Sequence, residues 1–270
     1  MVVNGTRGYC QREASVERVA VSLLSGISLS DFALSEHPDF KAGTFLKIKS
    51  LRCGLQLLPL VQHRISISSI SLEAPQLSVF YKDDRDPRIG DVFALPAARS
   101  SFIVPKKALD HPLLISQLNV SNGEVLFCSS KTKKTNLAIK NIILSGSSVS
   151  LEGPFDAAVT CTVEQPGTAL AVALQGTIDI SNETFTIKRA EIKAGDSSLS
   201  LSGTVAHFMN MAKISCDLHI EGKRRSLEQI LSAVAPGIPL QSGTGPNVAF
   251  SLTGNSDSIK LTDLTAKPRK

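Results

Sequence analysis

The stretch Ile65-Ser66-Ile67-Ser68-Ser69-Ile70-Ser71-Leu72 alternates aliphatic with small polar side chains, slips at Ser68-Ser69, and resumes. Successive side chains of an extended chain point to opposite faces, so this period of two describes a strand with one oily and one wet face. Two adjacent serines at the slip predict a β-bulge or a short turn. The same pattern extends outward in both directions. Ile27-Ser28-Leu29-Ser30 alternates, and Phe45-Leu46-Lys47-Ile48-Lys49-Ser50-Leu51 does so with one slip. Further runs are Gln76 to Tyr81, Leu114 to Val120, Val125 to Cys128, Leu137 to Leu144 and Val159 to Val163. Leu170 to Ile180, Thr184 to Ile192, Leu199 to Val205, Ile214 to Ile220 and Val248 to Leu252 complete them. Turn residues separate the runs about every eight to twelve positions, the spacing of an antiparallel meander. The fold expected is all-β: a long antiparallel sheet, either a closed sandwich or a curved, open groove.

Two segments break the period. Residues 82–112 contain Asp83-Asp84-Arg85-Asp86-Pro87 and further prolines without sustained alternation, which reads as an insertion or linker. In Ser226 to Ala235, Leu227, Ile230, Leu231 and Val234 fall at helical spacing. Ser226 is the expected N-cap and Pro236-Gly237 the stop. The expected organisation is therefore an N-terminal β region over 1–81, a loop over 82–112, and a second β region over 113–270. The second region carries one short amphipathic helix at 226–235, and the two regions read as one continuous sheet. Leu174-Gln175-Gly176, Leu201-Ser202-Gly203 and Leu252-Thr253-Gly254 recur in the same strand phase, at intervals of about one and two copies of a two-strand unit.

Composition narrows the function classes. The chain is 42% hydrophobic but only 5% aromatic, with no Trp and two Tyr. Its apolar surface is aliphatic, which argues against stacking sites for sugars or bases. The net charge of +5 is spread over small clumps such as Lys223 to Arg225, with no interleaved aromatics, so nucleic acid is not an expected partner. The five cysteines are scattered and form no CxxC, which leaves no zinc or disulfide framework to expect. The five histidines are equally dispersed, and Asp83, Asp84 and Asp86 lack the Gly and distal Glu of a calcium loop. No GxSxG, HExxH, P-loop or GxGxxG occurs, so neither catalytic residues nor a cofactor or metal are expected. No stretch approaches the roughly 20 apolar residues of a membrane-spanning helix.

From Val16 to Tyr81 the order of features is more specific. Ile27 to Ser35 leads through His37-Pro38-Asp39-Phe40 to a strand ending in Leu57-Leu58-Pro59-Leu60. Ile65-Ser66-Ile67 and Ile70-Ser71-Leu72-Glu73-Ala74-Pro75-Gln76-Leu77 follow. Near the other end come Ser226 to Leu231, then Pro239, a Gly-rich turn and Val248 to Gly254. This order resembles the AsmA family of bacterial envelope proteins. It departs from that family in lacking the preceding transmembrane helix and the usual Gly and Asn-Trp near Asp83 to Asp86.

The resemblance implies a non-enzymatic periplasmic protein, associated with the inner membrane through an anchor absent from this chain. It implies a taco-like sheet whose apolar groove holds phospholipid acyl chains. It also implies a part in phospholipid transport between membranes and in outer-membrane assembly, with outer-membrane assembly proteins among the partners. Ile65, Ile67, Leu72, Leu199, Leu201, Ile214 and Leu218 are the residues expected to face the groove. At about 4.8 Å per strand, some 16 to 18 strands span roughly 80 Å, which suits a carrier or component better than a complete bridge. The competing expectations are a closed β-sandwich, favoured by alternation alone, and an adhesin-like interaction module.

Overall fold

A computed structural model describes residues 2–3, 12–22, 26–36, 39–56, 67–81, 114–129, 132, 134–150, 152–165, 168–208, 215–223, 225–226, 228, 230, 247–255 and 259–267. The described chain is nearly all β. It divides into two units, the first reaching position 149 and the second beginning at Ser150. The strands between 114 and 149 thus belong with the N-terminal part of the chain.

The first unit contains β1 (Val2–Val3), β2 (Ala14–Ser15), β3 (Arg18–Ser22), β4 (Gly26–Ser35), β5 (Thr44–Leu55), β6 (Ile67–Glu73), β7 (Gln76–Tyr81), β8 (Leu114–Ser129) and most of β9 (Thr135–Ser150). Its order is β1-β2-β4-β5-β6-β8-β9, with β3 on β4, and β7 between β5 and β8. The sheet is mixed: β6 and β7 both run parallel to β8. The expectation of antiparallel pairing throughout fails here. The long connection after Tyr81 brings β8 back in the same direction as β6 and β7, as a parallel neighbour requires.

The slip at Ser68-Ser69 is a β-bulge. Ser69 pairs with Gly54 and Ile67 with Leu55, leaving Ser68 as the extra residue. The bulge returns Ile67 to the phase of Ile70 and Leu72, opposite Leu55, Cys53 and Leu51.

A second irregularity crosses several strands. Asp31, Ala74, Asn122 and Asn141 all take positive φ, between 47° and 54°. Asp and Asn tolerate this left-handed region better than most residues. In β4 and β5 the apolar phase changes there: Ile27 and Leu29 pair with Cys53 and Leu51, whereas Phe32 and Leu34 pair with Ile48 and Leu46. In β8 it passes from Leu118 and Val120 to Val125 and Phe127. Leu114 to Val120 and Val125 to Cys128 are therefore one kinked strand, β8. Ala74 N donates to Ser121 O at 2.8 Å and Glu124 N to Pro75 O at 2.7 Å, which carries the ladder past the proline.

The N-terminal side of this unit is fastened at Ser35, which is fully buried. Glu13 N donates to Ser35 Oγ at 2.9 Å, and Arg12 Nη1 donates to Ser35 O at 2.9 Å while stacking 4.0 Å over the Phe45 ring. Ser35→Ala is expected to leave the Glu13 amide without its acceptor and to cost about 1–3 kcal/mol in a denaturant titration. A conservative Ser35→Thr, which keeps the hydroxyl, should recover part of that loss.

The second unit is a regular antiparallel meander in chain order: β10 (Phe155–Gln165), β11 (Thr168–Asp179), β12 (Thr184–Ala194), β13 (Ser197–Ala206), β14 (Ser215–Lys223), β15 (Asn247–Asn255) and β16 (Ile259–Lys267). The Leu-x-Gly repeat falls on β11, β13 and β15. Each interval is a single hairpin step, so the expected doubling of the second interval is incorrect. Residues 224–246 lengthen that step instead. Arg225, Ser226, Glu228 and Ile230 are helical, so helical geometry already includes the expected N-cap. The remainder of 226–235 lies outside the described residues.

Candidate functional site

Register fixes which side chains of the second unit share a face, because residues directly opposite in an antiparallel ladder point the same way. On β10 and β11 the shared set is Val163–Leu170, Cys161–Val172, Val159–Leu174, Ala157–Gly176 and Phe155–Ile178. It continues onto β12 as Ile192, Ala190, Ile187 and Phe185, and onto β13 as Leu199, Leu201, Gly203 and Val205. On β14 it is Gly222, Ile220, Leu218 and Cys216. One face therefore runs aliphatic across five consecutive strands, β10 to β14. The opposite face of β13 and β14 carries Ser198, Ser200, Ser202 and Thr204 beside Asp217, His219 and Glu221.

The apolar face is unevenly covered. Leu170 is 2% exposed and Leu199 5%. The lateral row through its middle, Val159–Leu174–Ala190–Leu201–Ile220, is only half-buried except at Ala190. The inner face of a closed sandwich is most protected at its centre, where a second sheet packs about 10 Å away. Here Val159, Leu174, Leu201 and Ile220 keep partial exposure, whereas Ala157, Ile187 and Ala190 on the same face are buried.

A bulge shapes this face. Ile187 pairs with both Gly176 and Gly203, while Gln175 pairs with Arg189 and Leu201 with Ala190, so β12 carries an extra residue between two glycines. A Cβ on Gly176 would lie 2.4 Å from Thr186 O, and one on Gly203 2.1 Å from Asp217 O. Both glycines admit the backbone of the neighbouring strand. The displaced Lys188 donates to Asp156 Oδ1 at 2.7 Å on the polar face. That bond, with a second from Thr177, holds the Asp156 carboxyl below its ordinary range.

The first unit has its own apolar zone. Val19 and Val21 of β3 pair with Leu29 and Ile27 of β4. Val19 is 53% exposed, Val21 73% and Ile27 36%. Cys53, Ile67, Ile70 and Leu72 continue the zone on β5 and β6, all half-buried.

Of the residues expected to line a groove, Leu199, Leu201 and Leu218 share one face of the second unit. Ile67 and Leu72 share one face of the first. Ile65 and Ile214 lie outside the described residues. Reasoning from sequence missed Val172, Leu174 and Ile220, although the alternation that marks Leu201 marks them equally. Val19 and Val21 were also missed.

The thiols of Cys53 and Cys161 stand on these faces, and burial pushes both above the ordinary cysteine range. A thiol that resists ionisation is a poor nucleophile at neutral pH. A polar cleft of about 400 Å³ lies in the first unit between Asp31, Lys47, Lys49, Gln76 and Glu124. Lys49 binds Glu73 and Gln76 binds Glu124, so these polar groups largely satisfy one another. Among the described residues no cluster of His, Cys, Asp and Glu is placed to hold a metal ion. None of the described helical residues forms a segment long and apolar enough to cross a membrane. No family model, curated protein or solved structure matches this chain.

Proposed function

We propose that this chain is an AsmA-like, membrane-associated periplasmic protein that holds phospholipid acyl chains against an apolar β face. In this reading it contributes, without catalysis, to phospholipid transport between membranes and to outer-membrane assembly. The observation that carries the reading is the partial exposure of Val159, Leu174, Leu201 and Ile220 on the apolar face of the second unit. An aliphatic face that its own chain leaves incompletely covered gains about 0.8 kcal/mol for each CH₂ that a ligand buries on it. Acyl chains suit such a face because they need no positioned polar partner, and the face offers aliphatic carbon with few aromatic rings. A closed sandwich would protect Leu201 and Ile220 as deeply as Leu170.

Cys161 provides a native reporter, since it pairs with Val172 on this face. Its raised pKa reduces the thiolate fraction at neutral pH. Maleimide labelling should therefore be slower than for a free thiol and keep rising with pH beyond the ordinary cysteine range. Loading the protein with phospholipid should slow labelling further at fixed pH. Unchanged labelling at full lipid loading would contradict the proposal.

A further inference from the structure

Strand β3 pairs with β4 over all five of its residues, Arg18 to Ser22, and among the described residues no strand lies on its other edge. β2 lies end to end with β3 on the same edge of β4, and β1 covers β2 only at Ala14 and Ser15. From Arg18 onward no described strand takes up the backbone N–H and C=O groups that face away from β4, and such an edge is a template for a further strand. The faces of β3 are uncovered as well. Arg18, Val19, Ala20 and Val21 are all exposed, so neither face packs under another layer. Three of the four large apolar side chains exposed among the described residues, Val19, Val21 and Ile27, cluster at this corner. Proteins commonly blunt a free edge with proline, lysine or an inward-pointing charge, whereas β3 carries a single charge, Arg18, at its start.

From this edge we infer that β3 pairs antiparallel with β3 of a second copy of the chain, about a two-fold axis at Ala20. The sequence Arg18-Val19-Ala20-Val21-Ser22 is self-complementary in that register. Val19 of each copy stands opposite Val21 of the other, Ala20 opposite Ala20, and Arg18 opposite Ser22, so like charges are not opposed. Only this axis pairs all five residues with one another. Val19 and Val21 share a face with Leu29 and Ile27. A two-fold axis perpendicular to the sheet keeps that face on the same side in both copies, so the two apolar zones join and the valines cover one another. A strand from another protein would need its own matching sequence, whereas the second copy supplies the match by symmetry. One five-residue strand pair is smaller than the interface of a permanent dimer, so the association is reversible and depends on concentration. It does not rest on the acyl-chain reading, which concerns the second unit.

The test introduces single cysteines into the full chain and follows covalent dimer under mild oxidation. Ala20→Cys sets two thiols directly opposite, with about 5 Å between Cβ atoms. Arg18→Cys lies on the same strand face but about 13 Å along the strand from its counterpart. Covalent dimer should form at least about tenfold faster with Ala20→Cys than with Arg18→Cys or the unaltered protein. On the unaltered protein, amide hydrogen exchange over Arg18 to Ser22 should slow as concentration rises, a measurement that needs no variant. Val21→Lys alters a side chain that is 73% exposed, so the fold should tolerate it. That variant should weaken self-association at least about tenfold, because both Val19–Val21 pairs are lost. Exchange over β3 that does not change with concentration, in a protein that stays monomeric, would overturn the pairing. So would self-association that Val21→Lys leaves intact, or equal crosslinking through positions 18 and 20.

Discussion

Gly203→Ala is expected to destabilise the second unit by about 3 kcal/mol, more than most single substitutions achieve. Gly203 has a φ of 142°, a region that side-chain-bearing residues rarely adopt, and the added Cβ would sit 2.1 Å from Asp217 O. That oxygen belongs to the backbone of β14, so relief requires the β13–β14 ladder to separate. Gly195 provides the comparison. It also has positive φ, at 55°, but a Cβ there meets nothing within 4 Å. Gly195→Ala should therefore cost only the backbone term, about 1 kcal/mol. Denaturant midpoints of the two variants, with equal slopes, would separate close approach from conformational strain. Equal costs would mean that β14 does not approach Gly203 as closely as the geometry requires.

The second large effect is a contrast between two leucines on one face. Leu170→Ala should cost about 3–4 kcal/mol, because a side chain only 2% exposed leaves a cavity when truncated. Leu201→Ala should cost about 1–2 kcal/mol, because its half-buried side chain already meets solvent and truncation leaves no closed void. If both leucines filled the interior of a sandwich, the two losses would be alike. The same Leu201→Ala variant should retain less lipid despite its smaller effect on stability.

Much of the fold was legible because period two is a strong signal wherever one face is oily. Leu199, Leu201 and Leu218 were placed together from alternation, and register puts them on one face. Ser68-Ser69 predicts a bulge or a short turn, and of the two it is the bulge that forms. The bulge in β12 was signalled more weakly: Lys188-Arg189 interrupts the alternation between Ile187 and Ala190. Two consecutive long cations in a strand also suit a solvated edge, so the pair does not specify a bulge by itself. The parallel pairing of β6 and β7 with β8 was not legible. Strand patterns carry no direction, and only the long connection after Tyr81 hinted at it. Nor could alternation show how far the face is covered. It gives the same pattern for a face packed against a second sheet and for one left open, so Leu170 and Leu201 look alike in sequence while differing in exposure.

The central claim is that the aliphatic face of the second unit holds acyl chains, and crosslinking at opposite parities of neighbouring strands tests it most directly. Photo-reactive residues at Leu201 and Leu218 occupy the apolar face, and those at Ser202 and His219 the polar one. With labelled phospholipid present in cells, capture is expected at Leu201 and Leu218 and not at Ser202 or His219. Capture at neither parity in a folded protein, or equal capture at both, would contradict the account.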